Sequence, residues 1–123
     1  MANLILDERD QQFILYEMLN VEKLCGYEKY ADFSQDMFDM ILTEAQKIAV
    51  EEILPTLADG DKVGCTLVDG KVSVPESYHR AFRLFREGGW IGMSFPPEEG
   101  GQGLPAGVKT AAIGWSYQNF AFG

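Results

Sequence analysis

Polar and apolar positions follow a helical rhythm along most of this chain. Asp7, Glu8 and Asp10 put negative charge where a helix N-terminus favours it, and Phe13, Ile14, Met18 and Val21 then recur at three- and four-residue spacing. The pattern predicts a first helix from about Asp7 to Leu19. Gly26 and the Tyr27 to Tyr30 region interrupt it. Asp32 or Ser34 can cap the next helix, and Gln35, three residues after Asp32, suggests a capping box. Phe38, Ile41, Leu42, Ala45, Ile48, Ala49 and Ile53 then hold the helical period, while Lys47, flanked by Glu44 and Glu51 at i−3 and i+4, marks the solvated face. Pro55 lacks an N–H and crowds the turn before it, so this second helix is expected to end or kink near Ile53 or Leu54.

The rhythm changes after Cys65. Asp69-Gly70 is the dipeptide favoured by a type I′ turn, whose two central residues need positive φ, so Cys65 to Ser73 predicts a small β-hairpin. An isolated hairpin is marginal in water, and this one is expected to lie against helices. Ser73-Val-Pro-Glu76 reads as a capping box with Pro75 in the first turn. Tyr78, Ala81, Phe82 and Phe85 form the apolar stripe of a third helix, which Gly88-Gly89 stops. Trp90 to Pro97 is expected to be extended, Glu98 to Gly103 a glycine-rich loop, and Pro105 the start of a fourth helix running to about Asn119. The expected fold class is mainly α, with one small hairpin and no repeat or linker.

Composition narrows the partners. In 123 residues, 46% are hydrophobic and 24% charged, as in an ordinary folded domain, and the net charge is −9 with a pI near 4.4. Such a field repels phosphate backbones and anionic headgroups, which makes nucleic acid and membrane surfaces poor partners. The longest uncharged stretch, Thr110 to Gly123, is 14 residues, against roughly 20 needed to cross a bilayer. With no basic segment followed by an apolar run at Met1 to Asp10, the expected address is the cytoplasm. Cys25 and Cys65 have no Cys or His near them in sequence and are expected to be small core residues; His79, the lone histidine, is expected to be solvated or packed.

Several motifs almost fit a chemistry. Gly101-Gln-Gly103-Leu-Pro-Ala106 has the letters of a dinucleotide fingerprint, but it follows Pro96-Pro97-Glu98-Glu99 rather than a strand, and those carboxylates would repel a diphosphate. Asp59-Gly-Asp61-Lys-Val-Gly64 starts like a calcium loop, yet Val63 replaces a ligand and Gly70 stands where a bidentate Glu belongs; a helix-ending turn is expected instead. Gly92-Met-Ser94-Phe-Pro96 lacks the last glycine of a nucleophile elbow. Glu98 and Glu99 are the acid/base candidates by residue type, with solvation as their expected role. Residues alone therefore assign no catalytic, cofactor-binding or metal-binding group.

One run carries more. Gly89-Trp-Ile-Gly-Met-Ser-Phe-Pro-Pro-Glu-Glu-Gly-Gly-Gln-Gly-Leu-Pro105 resembles the segment joining two helices in the N-terminal domain of flavin-dependent acyl-CoA dehydrogenases; Trp90, Pro97, Glu98, Gly100, Gly101, Gly103 and Leu104 fill the places of that pattern. Arg9 to Glu17 and Asn119 to Gly123 resemble a longer-chain branch of the family. The resemblance implies an N-terminal extension helix over residues 1–30 and the family's helical domain over residues 31–123, ending before the β-domain. It implies a longer protein that oxidises acyl-CoA to trans-2-enoyl-CoA with FAD, passes electrons to an electron-transfer flavoprotein, and forms a homo-oligomer. Most FAD contacts and the catalytic glutamate of such a protein would lie outside this chain, leaving the fragment inactive by itself. The last helix would come closest to the acyl chain, which makes Gly114, Trp115, Asn119 and Phe120 the substrate-pocket residues. A glutamate common in the middle of that helix in the family is replaced here, near Ile113-Gly114-Trp115. Two other readings compete: a stand-alone helical module that binds a protein through its apolar C-terminal face, and a catalytically dead relative serving as a scaffold.

Overall fold

The computed structural model describes residues 7–116, the side chains of Trp115 and Ser116 excepted. The first helix, α1 (Glu8–Gln12), is capped by Asp7, whose carboxylate accepts from the Asp10 N–H at 3.1 Å, and continues as a π-helical turn over Phe13–Met18. Asn20, at φ 53°, ends it in the left-handed region that an asparagine tolerates. Two short 3-10 segments, Val21–Gly26 and Glu28–Tyr30, lead to α2 (Gln35–Ile48). Its cap is Ser34, whose hydroxyl accepts from the Met37 N–H at 3.3 Å, and the box expected between Asp32 and Gln35 is not the device used. The helix runs on through a π-helical turn, Ala49–Ile53, and ends there, just before Pro55, as expected.

A helix the pattern did not announce follows, α3 (Thr56–Val63). It contains the aspartates of the calcium-like run, and Gly64 ends it at φ 66°. Gly60 sits inside this helix because Tyr78 packs on it: a Cβ there would stand 1.9 Å from the Tyr78 hydroxyl oxygen. β1 (Thr66–Val68) and β2 (Lys71–Ser73) pair antiparallel with Leu67 opposite Val72, and Asp69 and Gly70 take φ 49° and 76°, the pair of positive values that the turn requires. Among the described residues no helix covers the hairpin, which is not the placement expected. All six strand residues are exposed, Leu67 and Val72 by 70% and 69%.

α4 (Glu76–Glu87) starts after Pro75, which stands at the cap position with no side-chain cap bond; Ser73 is committed to the β-ladder, so the expected capping box is absent. The helix buries Ala81, with Tyr78, Leu84 and Phe85 half-buried beside it, while Phe82 turns out to be 51% exposed. The buried face is centred on Ala81, and Phe82 lies about 100° round the helix from it. From Trp90 to Pro105 the chain turns rather than extends, with one 3-10 turn at Pro97–Glu99. α5 (Ala106–Ser116) follows.

The core forms mainly where α2 packs against α5. Phe38, Leu42, Ala45 and Ala49 meet Val108 and Ala112, with Leu15 and Val21 closing one side and Met93 and Leu104 another. Phe33 stacks on Phe38 at 5.9 Å between ring centres. Each fully buried large side chain here contributes about 1.5–3 kcal/mol by removal from water. Cys25 is half-buried and packs against the core, whereas Cys65 is exposed and is not the core residue expected. Among the described residues no helix is long and apolar enough to cross a membrane. The chain is thus mainly helical with a single two-stranded hairpin among the described residues.

Candidate functional site

The glycine-rich run is folded back on itself. The Gly101 N–H donates to the Pro96 carbonyl at 3.1 Å, Gly103 N–H to Phe95 at 2.9 Å, and Leu104 N–H to Met93 at 2.9 Å. The Gln102 side-chain amide donates to the Gly89 carbonyl at 3.2 Å. A Cβ at Gly101 would stand 2.1 Å from the Phe95 carbonyl oxygen, so a side chain is excluded there by the protein's own backbone. The loop spends its N–H groups on closing itself and delivering Leu104 and Pro105 to the core, where they start α5. That is a folding role, which explains the fingerprint letters without a phosphate.

An apolar groove lies between the first helix and α5. It is an open trough of about 680 Å³, lined on one side by Ile14, Leu15 and Leu19 and on the other by Gly107, Ala111 and Gly114. Gly107, Ala111 and Gly114 recur at i, i+4 and i+7, one face of α5, and their lack of bulk opens the space. A Cβ at Gly114 would meet nothing within 4 Å. Ile14 and Leu19 remain 47% and 57% exposed, so the groove wall is half in water. Gln11 crosses between the two helices, donating from Nε2 to the Ala111 carbonyl at 2.9 Å. Thr110 is occupied with its own helix, its hydroxyl donating to the Ala106 carbonyl at 2.9 Å. The polar groups Asp7 and Asp10 stand at one end. A volume in the range of small-molecule pockets, an apolar wall and few polar groups suit an alkyl chain better than a polar ligand.

Behind the groove a polar contact ties the first helix to α2. The Tyr16 hydroxyl donates to Asp39 Oδ1 at 2.6 Å. Burial raises the phenol above its ordinary value, and the hydrogen bond and negative charge of Asp39, with that of Glu22, push it the same way. Across the molecule Glu52 receives a bidentate hydrogen bond from Arg80, at 2.8 and 3.1 Å, which holds its carboxyl below the usual range against the opposing effect of burial.

Of the residues expected at a substrate pocket, Gly114 lies on the groove. Trp115 belongs to α5, but its side chain is outside the described residues, as are Asn119 and Phe120 altogether. The fold does not assemble the other candidates into one place: Glu98 and Glu99 are exposed on the 3-10 turn, Ser94 sits in the turn before it, and His79 is exposed on α4 beside Glu76 at 3.3 Å. Among the described residues no group of three or more His, Cys, Asp or Glu side chains converges as a metal site. Gln11, Ile14, Leu19, Gly107 and Ala111 were not expected as pocket residues from the sequence. The small-residue spacing on α5 was a readable signal; the partner wall was not, because it comes from the opposite end of the chain.

No protein-family model matches the chain. Two curated relatives do. A 3-methylmercaptopropionyl-CoA dehydrogenase of Ruegeria pomeroyi is 33% identical over 104 residues, covering 85% of this chain and 18% of that protein. A broad-specificity linear acyl-CoA dehydrogenase of Mycobacterium tuberculosis is 29% identical over 106 residues, covering 84% of this chain and 17% of that protein. The chain therefore spans less than a fifth of the length of either relative. By sequence it belongs with the acyl-CoA dehydrogenases, as the counterpart of a small part of such a protein.

Proposed function

We propose that this chain is the N-terminal helical domain of a longer FAD-dependent acyl-CoA dehydrogenase, in which the groove between the first helix and α5 walls the acyl end of the substrate site. The observation that carries the reading is the open, apolar lining of that groove at Gly107, Ala111 and Gly114, on a chain similar to two acyl-CoA dehydrogenases. Residues 1–30 would form an extension that supplies the outer wall, and residues 31–123 the domain proper. The work of the groove's own residues is binding and exclusion of water: Ile14, Leu15 and Leu19 offer apolar surface, and Gln11 holds the two walls together.

The glycine-rich loop does not fit the diphosphate of a flavin. The glycine-rich loop has no open N–H nest, since its amides bond within the loop and its closest approach is filled by the Phe95 backbone. In this reading FAD, which accepts the hydride in such chemistry, is held by other parts of the protein, as is the base that removes the proton. The substrates would be acyl-CoA thioesters oxidised to trans-2-enoyl-CoA, with electron-transfer flavoprotein as acceptor and a homo-oligomer as the working form.

Dye-linked oxidation of an acyl-CoA series by the longer protein carrying this segment tests the reading. Gly114→Leu fills the groove at a point where a side chain meets nothing in the fold. It should lower kcat/KM for long acyl chains by about tenfold while sparing short ones, because one added isobutyl group displaces on the order of two methylenes of substrate. Equal rates for all chain lengths in both forms would remove the groove from the substrate site. A longer protein that oxidises no acyl-CoA would end the reading altogether.

A further inference from the structure

The groove between the first helix and α5 has a direction. Gly107 lies beside Val21, since a Cβ on it would stand 3.9 Å from Val21 Cγ2, and Ala111 is bonded to Gln11. The two walls therefore run antiparallel, with Leu19 and Gly107 toward one end and Asp7, Asp10 and Gly114 toward the other. Gly107 to Gly114 is seven residues of helix, about 10 Å. The ends differ in charge. Of the chain's 19 acids, Asp7 and Asp10 are the two that line the groove, and among its described lining residues there is no Lys, Arg or His. Asp7 precedes Asp10 by three residues and Asp10 precedes Ile14 by four, so the carboxylates continue the helix face that supplies the apolar wall. Asp7 also caps α1, a hydrogen bond that leaves its charge in place. The helix dipoles nearly cancel there, because α1 begins and α5 ends at this end.

Resting on the reading of this groove as the acyl wall, we propose that the far end of the acyl chain lies at Asp7 and Asp10, and that these two carboxylates make the site selective for chains with an uncharged end against chains that end in a carboxylate. The direction follows from charge. CoA carries several phosphate charges, which are disfavoured beside two carboxylates, so the thioester end belongs toward Leu19 and Gly107. A chain that fills the trough then brings its last carbon between Gly114 and the acids. A methyl group there meets no opposing charge. A carboxylate there finds no cation among the described lining residues, and must either face like charge at close range or leave the apolar wall for water. Selectivity of this kind comes from repelling the wrong ligand rather than from a new contact to the right one. Asp7 and Asp10 are exposed, so water and salt moderate the repulsion, and it is strongest at low ionic strength. Chains too short to reach the acids are not sorted by them.

Dye-linked oxidation at low salt, by the longer protein carrying this segment, compares decanoyl-CoA with the thioester of the same length that ends in a carboxylate. The methyl-ended chain should be preferred. Asp7→Asn with Asp10→Asn should raise kcat/KM for the carboxyl-ended chain about tenfold and leave the methyl-ended chain little changed. Asparagine caps a helix as well as aspartate does, so α1 survives the change. Asp10→Lys, which supplies a cation, should raise the carboxyl-ended chain at least as far, and about 0.5 M salt should narrow the preference of the unaltered protein. Glu51→Gln with Asp61→Asn removes two exposed charges outside the groove and should leave the preference as it was. An unchanged preference in the Asp7 and Asp10 variant, an equal change in the Glu51 and Asp61 variant, or an equal gain on both substrates would each overturn the placement. If Gly114→Leu still disfavours long chains in that case, the groove stands as the acyl wall and only the chain's direction falls. If Gly114→Leu leaves the chain-length profile untouched, the acyl-wall reading falls and this placement with it.

Discussion

Two glycines with the same letter do opposite work, and alanine separates them. At Gly101 a Cβ meets the Phe95 backbone at 2.1 Å, an obstacle that no rotamer can move; Gly101→Ala should lose about 2–3 kcal/mol in urea unfolding. At Gly114, inside α5 with nothing within 4 Å, Gly114→Ala should gain about 0.5–1 kcal/mol by the same measurement, because glycine forfeits more chain entropy in a helix. The run around Gly101 was legible as a family pattern, but its physical reason was not: the obstacle is a backbone six residues earlier, placed there only by the turn. Tyr16 makes a third case. Removing its hydroxyl leaves Asp39 without that donor, and Tyr16→Phe should cost about 1 kcal/mol at neutral pH. Since folding raises this phenol above its ordinary value near 10, its contribution is full below that pH and fades as pH rises further. Parallel unfolding of the two forms at pH 8 and pH 11 should therefore show the gap between them shrinking.

Elements differ in how much of themselves they announced. α2 was readable because its stripe and its stop signal are local, and the residues of that stripe, from Phe38 to Ile53, are buried or half-buried as the period requires. α3 was not, since its Gly60 and two aspartates argue for a turn, and only Tyr78, arriving from α4, makes a helical glycine there worth having. The hairpin turn was readable from Asp69-Gly70, but its placement was not, because nothing in six alternating residues says which neighbour they will have. With both strands exposed, Leu67→Thr and Val72→Thr should change the stability of this chain by less than about 0.5 kcal/mol, whereas Leu42→Ala in α2 should cost about 2–5 kcal/mol. The Glu52 and Arg80 link joins α4 to the end of the second helix. Folding lowers the Glu52 carboxyl, so the link is present above that group's ordinary value and is lost as pH falls through the folded one. Glu52→Gln should lower the melting temperature slightly at pH 7, by less as the pH falls, and not in 1 M salt.

For the whole molecule, the net charge of −9 makes self-repulsion a general load, and raising salt from 20 to 500 mM should increase the melting temperature before any specific anion effect intervenes. The acidic balance was legible at once, while the candidate groove was not, because a surface built from the two ends of a chain has no linear signature. That construction also bears on time. The Gln11 to Ala111 hydrogen bond closes a span of 100 residues, the costliest kind of loop to shut. Helices α2 and α5, with their denser burial, can hold together before the first helix arrives and after it leaves. The groove is then the last feature assembled and the first to come apart, and whatever occupies it acts as a latch on the slowest-forming contact, retarding unfolding more than it hastens folding.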